Sequence, residues 1–144
     1  MKKKIPFKKR FLLSLPLLLI GSGFVIWLIL KPEYDYHYYK LNDCENSYLT
    51  AIIYWEPGER GVILAKGKHE NLPTNDFLIY RGLSGFDAYF RAVATCENGT
   101  VIVNSIEHFF YNQKGSKDIK PRILYSDTYK ELREEGNGIE IELY

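Results

Sequence analysis

The chain has 144 residues, enough for one domain once any targeting segment is set aside. Its formal charge of +1 conceals a segregation: residues 1–31 hold seven basic side chains (Lys2, Lys3, Lys4, Lys8, Lys9, Arg10, Lys31) and no acidic one, whereas residues 32–144 hold the other 12 Lys/Arg and all 18 Asp/Glu, a balance of −6. An acidic body lacks the basic patch of a nucleic-acid binder, so no nucleic-acid partner is expected.

Residues 1–10 form a basic head. Residues 11–30 follow as FLLSLPLLLIGSGFVIWLIL, without a charge. A helix of that length spans about 30 Å, the thickness of a bilayer core. Pro16 and the Gly21-Ser22-Gly23 patch are tolerated in a lipid-embedded helix, where freed backbone groups find other partners. The positive-inside rule puts the N-terminus in the cytoplasm and residues 32–144 across the membrane. The expected location is therefore a single pass of the inner (cytoplasmic) membrane, with a periplasmic or otherwise extracytoplasmic domain. Cleavage as a signal peptide after the small residues Gly21 and Gly23 would leave the apolar stub FVIWLIL, which favours a retained signal anchor.

Residues 31–46 read as a juxtamembrane aromatic linker. Trp27 near the end of the span and Tyr34, Tyr36, Tyr38 and Tyr39 beyond it suit an interfacial belt, because their polar tips favour the headgroup region. Cys44 and Cys96 are the two cysteines. An even pair in an oxidising compartment predicts a disulfide.

Residues 47–144 read as a β-rich domain. Residues 48–55 (YLTAIIYW) are β-branched and aromatic, and Pro57-Gly58 fits a tight turn into residues 61–66, making a hairpin. Residues 67–76 are a polar loop and residues 77–81 a short strand. From Phe86 to Cys96, Phe and Ala alternate with other residues at a period of two. Asn98-Gly99 is a strong hairpin signal, and the return through residues 101–106 places Cys96 opposite Val101 and Ala94 opposite Val103. A Cys44–Cys96 bridge then pins the start of the domain to this hairpin tip. Residues 120–125 and 138–144 are further strands. Residues 127–135 (DTYKELREE) form a short helix with Asp127 as N-cap and Gly136 as its stop. The predicted fold is thus one N-terminal transmembrane helix followed by a small antiparallel β-rich domain, all-β or α+β, with six or seven strands and one short helix near the C-terminus.

Chemistry-bearing motifs are sparse. His37, His69 and His108 stand apart from one another, so no metal site is expected. Ser84, in Gly82-Leu83-Ser84-Gly85, lacks the glycine two positions on that a nucleophile elbow needs. No phosphate loop or dinucleotide fingerprint occurs, and no cofactor or catalytic residue is assigned. Asn98-Gly99-Thr100 matches a glycosylation sequon, but the turn already accounts for these residues. Three consecutive aromatics, Phe109, Phe110 and Tyr111, cannot all face one core from a strand, which marks a candidate contact patch for a partner. The reading that follows is a membrane-anchored extracytoplasmic binding module of a bacterial envelope, of the immunity type or an assembly accessory, with lipid at the anchor and a protein partner outside the cytoplasm. An envelope hydrolase using dispersed carboxylates on glycan or peptide, and a purely structural membrane protein, are the alternatives. The oligomeric state is not set by the sequence.

Overall fold

Alternation of side chains across extended segments dominates the computed structural model of the protein, which describes residues 22–23, 25–28, 30–41, 44, 47–56, 59–81, 89–106, 110–112 and 116–144. The chain divides into two compact units, Met1–Pro32 and Glu33–Tyr144. In the first unit the described residues from 22 to 30 are helical, and Val25, Ile26, Trp27, Leu28 and Leu30 are exposed. No helix among the described residues is long and apolar enough to cross a membrane; residues 11–21, 24 and 29 of the expected span lie outside them.

The second unit holds nine strands among its described residues: β1 (Glu33–Lys40), β2 (Tyr48–Glu56), β3 (Glu59–Lys66), β4 (Phe77–Arg81), β5 (Phe90–Glu97), β6 (Thr100–Ser105), β7 (Phe110–Asn112), β8 (Ile119–Ile123) and β9 (Ile139–Leu143). They form a five-stranded sheet, β1-β2-β3-β4-β7, and a four-stranded sheet, β8-β6-β5-β9. One buried cluster joins the two sheets into a sandwich. The first sheet supplies Leu49, Ala51, Ile53, Val62, Leu64 and Leu78, and the second supplies Phe90, Ala92, Ala94, Val101, Val103, Ile119, Ile141 and Leu143. These are alternate residues of their strands, as one buried face requires. Burying a side chain such as Phe90 fully contributes roughly 1.5–3 kcal/mol.

The β-rich antiparallel character and the short C-terminal helix match the sequence reading. The β5–β6 register is the expected one, with Cys96 opposite Val101 and Ala94 opposite Val103. Asn98 (φ 51°) and Gly99 (φ 77°) both adopt positive φ, as a two-residue type I′ hairpin turn demands. The Cys44–Cys96 disulfide is formed, with a Cα–Cα distance of 5.4 Å. It ties the β1–β2 connection of one sheet to the hairpin tip of the other. Lys66 Nζ crosses at the same end to the Gly99 carbonyl (2.5 Å).

Several features differ from expectation. Residues 33–40, within the segment read as a linker, form β1 and pair along their whole length with β2, from Glu33–Trp55 to Lys40–Tyr48. The strand β8 runs parallel to β6, the one departure from antiparallel pairing among the described strands. Strand β5 begins at Phe90; residues 82–88, including Ser84 and the expected strand start at Phe86, lie outside the described residues. The helix spans Ser126–Glu134 with Tyr125 at the N-cap position and no side-chain cap bond, so Asp127 is not the cap. Asp127 sits in the first turn instead, where its charge favours the helix dipole. Gly136 ends the helix as expected, at φ 67°, with its N–H donating to the Arg133 carbonyl (3.3 Å).

The bridge closes a loop of sequence separation 52 and fastens the two sheets, so its removal weakens the domain through the unfolded state. Replacing both residues (Cys44→Ser with Cys96→Ser) is expected to lower unfolding free energy by roughly 2–4 kcal/mol in a denaturant titration. A change below about 0.5 kcal/mol, the level of an ordinary surface substitution, would contradict this role.

Candidate functional site

Two side-chain constellations stand out on the outer faces of the sandwich. The first is a groove on the outer face of the five-stranded sheet, and its geometry begins with a glycine. Gly61 pairs with Tyr54 across β2 and β3, and a methyl built on Gly61 would meet the Tyr54 hydroxyl (2.5 Å), Tyr54 Cε1 (2.6 Å) and the Tyr80 carbonyl oxygen. The missing side chain lets the Tyr54 ring lie across β3. There its hydroxyl donates to Glu59 Oε1 (2.9 Å), which also meets Arg81 Nε (3.3 Å). Burial, then the bond to Glu59, pushes the Tyr54 phenol up to about 12. Tyr34, opposite Tyr54 on β1, together with Ile63, Leu72 and Ile79 forms the rest of an apolar wall. Glu56, Glu59 and Arg81 supply the polar side of this groove of about 140 Å³.

The loop 67–76 partly covers the same face. His69 fastens it: its N–H donates to Thr50 Oγ1 (3.1 Å), its carbonyl accepts from the Tyr38 hydroxyl (3.0 Å), and its ring Nε2 lies 2.9 Å from the Lys66 carbonyl. His69 is thus a loop tie, while His37 pairs with Asp35 at 3.1 Å. His108 lies outside the described residues. Among the described residues no group of three or more His, Cys, Asp or Glu side chains is placed to hold a metal ion.

The second constellation is charged. On β9, Glu140 and Glu142 point away from the core face carrying Ile139, Ile141 and Leu143. Arg133 from the helix reaches Glu140 Oε1 (2.7 Å), and Arg91 from β5 reaches Glu142 Oε1 (2.9 Å). The Tyr89 hydroxyl donates to Glu142 Oε1 (2.8 Å) and accepts from Arg91 Nε (2.6 Å). The network holds the helix on the sheet, with Tyr129 buried behind it. The bond from Tyr89, together with Arg91, keeps the Glu142 carboxyl below its ordinary range. A carboxylate so held stays ionised at neutral pH, the opposite of what a general acid needs.

The sequence-derived candidates are placed as follows. Cys44 and Cys96 come together in the bridge. Tyr34, Tyr36 and Tyr38 project from the face of β1 that they share with their β2 partners Tyr54, Ile52 and Thr50, whereas Tyr39 projects from the other and packs against the core. The five aromatics Trp27, Tyr34, Tyr36, Tyr38 and Tyr39 are therefore divided between the two units, and four of them are strand residues. Phe110 and Tyr111 lie on β7, paired with Tyr80 and Ile79 of β4; their side chains, and Phe109 altogether, lie outside the described residues. Tyr54, Gly61 and Arg81 were not singled out by the sequence. The signal available was the pairing of Tyr54 with Gly61, which becomes readable once the β2–β3 register is fixed; the expected turn residues Pro57 and Gly58 lie outside the described residues.

Comparison with protein-family models, with curated proteins and with solved structures finds no match for this chain.

A group whose folded pKa is depressed adds stability above its unfolded pKa, and that stability is lost as pH falls through the folded value. Glu142 has an ordinary value of 4.5 and is lowered in the fold. Glu142→Gln is therefore expected to flatten the loss of stability seen on acidification below pH 4.5, measured by denaturant midpoints across pH. An unchanged acid slope would contradict the described network.

Proposed function

We propose that the chain is a membrane-anchored binding module whose sandwich lies outside the cytoplasm and takes a protein partner on the outer face of the five-stranded sheet. The observation that carries the binding site is the groove around Tyr54. It combines an aromatic and aliphatic wall with a small set of fixed polar groups, Glu59, Arg81 and the Tyr54 hydroxyl. Partner surfaces favour this mixture, since aromatics bring large contact area at low entropic cost and the polar groups set orientation.

Two features support the placement. The basic head and the uncharged residues 11–30 match a signal anchor with the N-terminus inside. The closed Cys44–Cys96 bridge suits an oxidising compartment. In this reading Trp27 lies at the outer membrane interface, and the anchor raises the module's effective concentration for partners at the same membrane. The role is of the immunity or envelope-assembly type within a bacterial envelope. The carboxylates that converge at β9 are held in ion pairs with Arg91 and Arg133, which favours this reading over hydrolysis.

A photo-crosslinking residue at Leu72, which lines the groove, is expected in intact cells to give a discrete adduct with a second polypeptide. The same residue at Lys120, exposed on β8, is expected to give none. Equal labelling from both positions, or no heterologous adduct from Leu72, would refute the assignment of the groove.

A further inference from the structure

The strand β1 ends the five-stranded sheet, and its outer edge has no strand beside it among the described residues. Which of its backbone groups face outward follows from the pairing with β2. The Leu41 N–H donates to the Ser47 carbonyl (2.8 Å), just past the Tyr39–Leu49 pair. Hydrogen-bonded and non-bonded pairs alternate along an antiparallel ladder. Glu33, Asp35, His37 and Tyr39 therefore turn their N–H and C=O groups toward β2. Tyr34, Tyr36, Tyr38 and Lys40 turn theirs outward. The β2–β3 hairpin gives the same phase, since its closing pair Glu56–Glu59 fixes alternate β2 residues toward β3. An open edge of eight residues is a template for another strand, and proteins commonly blunt such edges. The edge strand β8 carries Pro121; β1 carries no proline.

We propose that β1 pairs antiparallel with β1 of a second copy of this chain, about a two-fold axis through Tyr36. A two-fold axis normal to the sheet keeps each side chain on its own face, so paired positions must share parity. Four registers, with the axis at Asp35, Tyr36, His37 or Tyr38, then keep most of the eight residues in the ladder; the axis at Tyr38 leaves Asp35 outside it and sets His37 opposite Tyr39. An axis at Asp35 sets Asp35 against Asp35, a like-charge contact that opposes pairing. An axis at His37 sets His37 against itself and leaves Asp35 opposite Tyr39. The axis at Tyr36 sets Asp35 opposite the second copy's His37 and His37 opposite its Asp35. These two side chains already meet at 3.1 Å within one strand and are partly exposed, so the exchange keeps each carboxylate beside an imidazole. On the other face Tyr34 meets Tyr38 and Tyr36 meets Tyr36, aromatic cross-strand pairs of a stabilising kind. The outward backbone groups of Tyr34, Tyr36 and Tyr38 become the hydrogen-bonded pairs of the new ladder. The hydrogen-bond phase allows each of these registers; the Asp35–His37 complementarity and the fuller set of aromatic pairs select the one at Tyr36. The inference concerns the edge of the sheet and does not depend on what the groove around Tyr54 binds.

Cysteine cross-linking of the full-length chain in lipid vesicles tests the register. In the proposed pairing the two copies of residue 36 have Cα atoms about 5.5 Å apart, within disulfide range. The two copies of residue 33 lie six residues apart along the ladder, about 20 Å. Tyr36→Cys is expected to give a covalent dimer under mild oxidation at many times the yield of Glu33→Cys. Asp35→His or His37→Asp alone is expected to reduce dimer formation several-fold, and the two together to restore it. The charge exchange is also read by sedimentation of the detergent-solubilised full chain, which needs no added thiol: dimer for the parent and the double exchange, monomer for each single one. A Glu33→Cys yield equal to that of Tyr36→Cys would overturn the proposal. So would a monomeric parent chain with its Cys44–Cys96 bridge intact, or single exchanges that leave the dimer unchanged.

Discussion

Two sheets that share a core must also be fixed against sliding past each other, and in this chain the Cys44–Cys96 bond does so at one end of the sandwich. It joins the turn between β1 and β2 to the tip of the β5–β6 hairpin, and the Lys66–Gly99 hydrogen bond lies beside it. At the other end of β2, the Arg60 guanidinium stacks over Trp55 (4.9 Å) and donates to the Tyr144 carbonyl (2.8 Å). Apolar contact between these ties is non-directional, and many slides of one sheet over another bury similar area. The cross-links select one. Cys44 lies between β1 and β2, so the same bond secures the start of the folded unit at its entry.

Both proposed binding features depend on that arrangement. With the inner face of the first sheet committed to the core, its alternate residues must face outward, and β2 is buried on both sides as a result. On the outer side Ile52, Thr50 and Tyr54 are covered by neighbouring tyrosines and the His69-tied loop, and the groove is what this cover leaves open. The outer edge of β1 has no strand beside it among the described residues. The two proposals use different parts of one sheet, side chains of its face for a shaped partner and backbone of its edge for an extended strand.

Local signals carried much of the architecture. The β5–β6 hairpin, its Asn98-Gly99 turn, the Cys96–Val101 pairing and the final strand were legible because each rests on neighbours in sequence. The bridge was legible from cysteine number and the apolar N-terminal run, since compartment chemistry and not geometry decides it. The helix starts one residue before the expected Asp127: Asp127 suits an N-cap, but the Tyr129 N–H donates to the Tyr125 carbonyl (2.9 Å), which makes Tyr125 the cap and leaves Asp127 in the first turn. The parallel β6–β8 pairing was hidden, because nothing local in Ile119–Ile123 names a partner. Strand β1 was obscured for a different reason. Its tyrosines alternate with Asp35, His37 and Tyr39, a period of two, but their position after an apolar run admits an equally physical reading as an interfacial belt. The groove is not legible in the sequence because it is assembled from β1, β2, β3, β4 and a loop, and Gly61 has meaning only opposite Tyr54.

The proposed residence of the bridged sandwich outside the cytoplasm turns on the redox state of its compartment. Its most direct test is the oxidation state of the two cysteines in living cells, trapped by rapid acid quench and then alkylated before and after reduction. The account predicts that Cys44 and Cys96 resist alkylation until a reductant is added and then both react. Alkylation of both without reductant in freshly quenched cells would contradict it, placing the domain in a reducing compartment and removing the tie on which its fold relies.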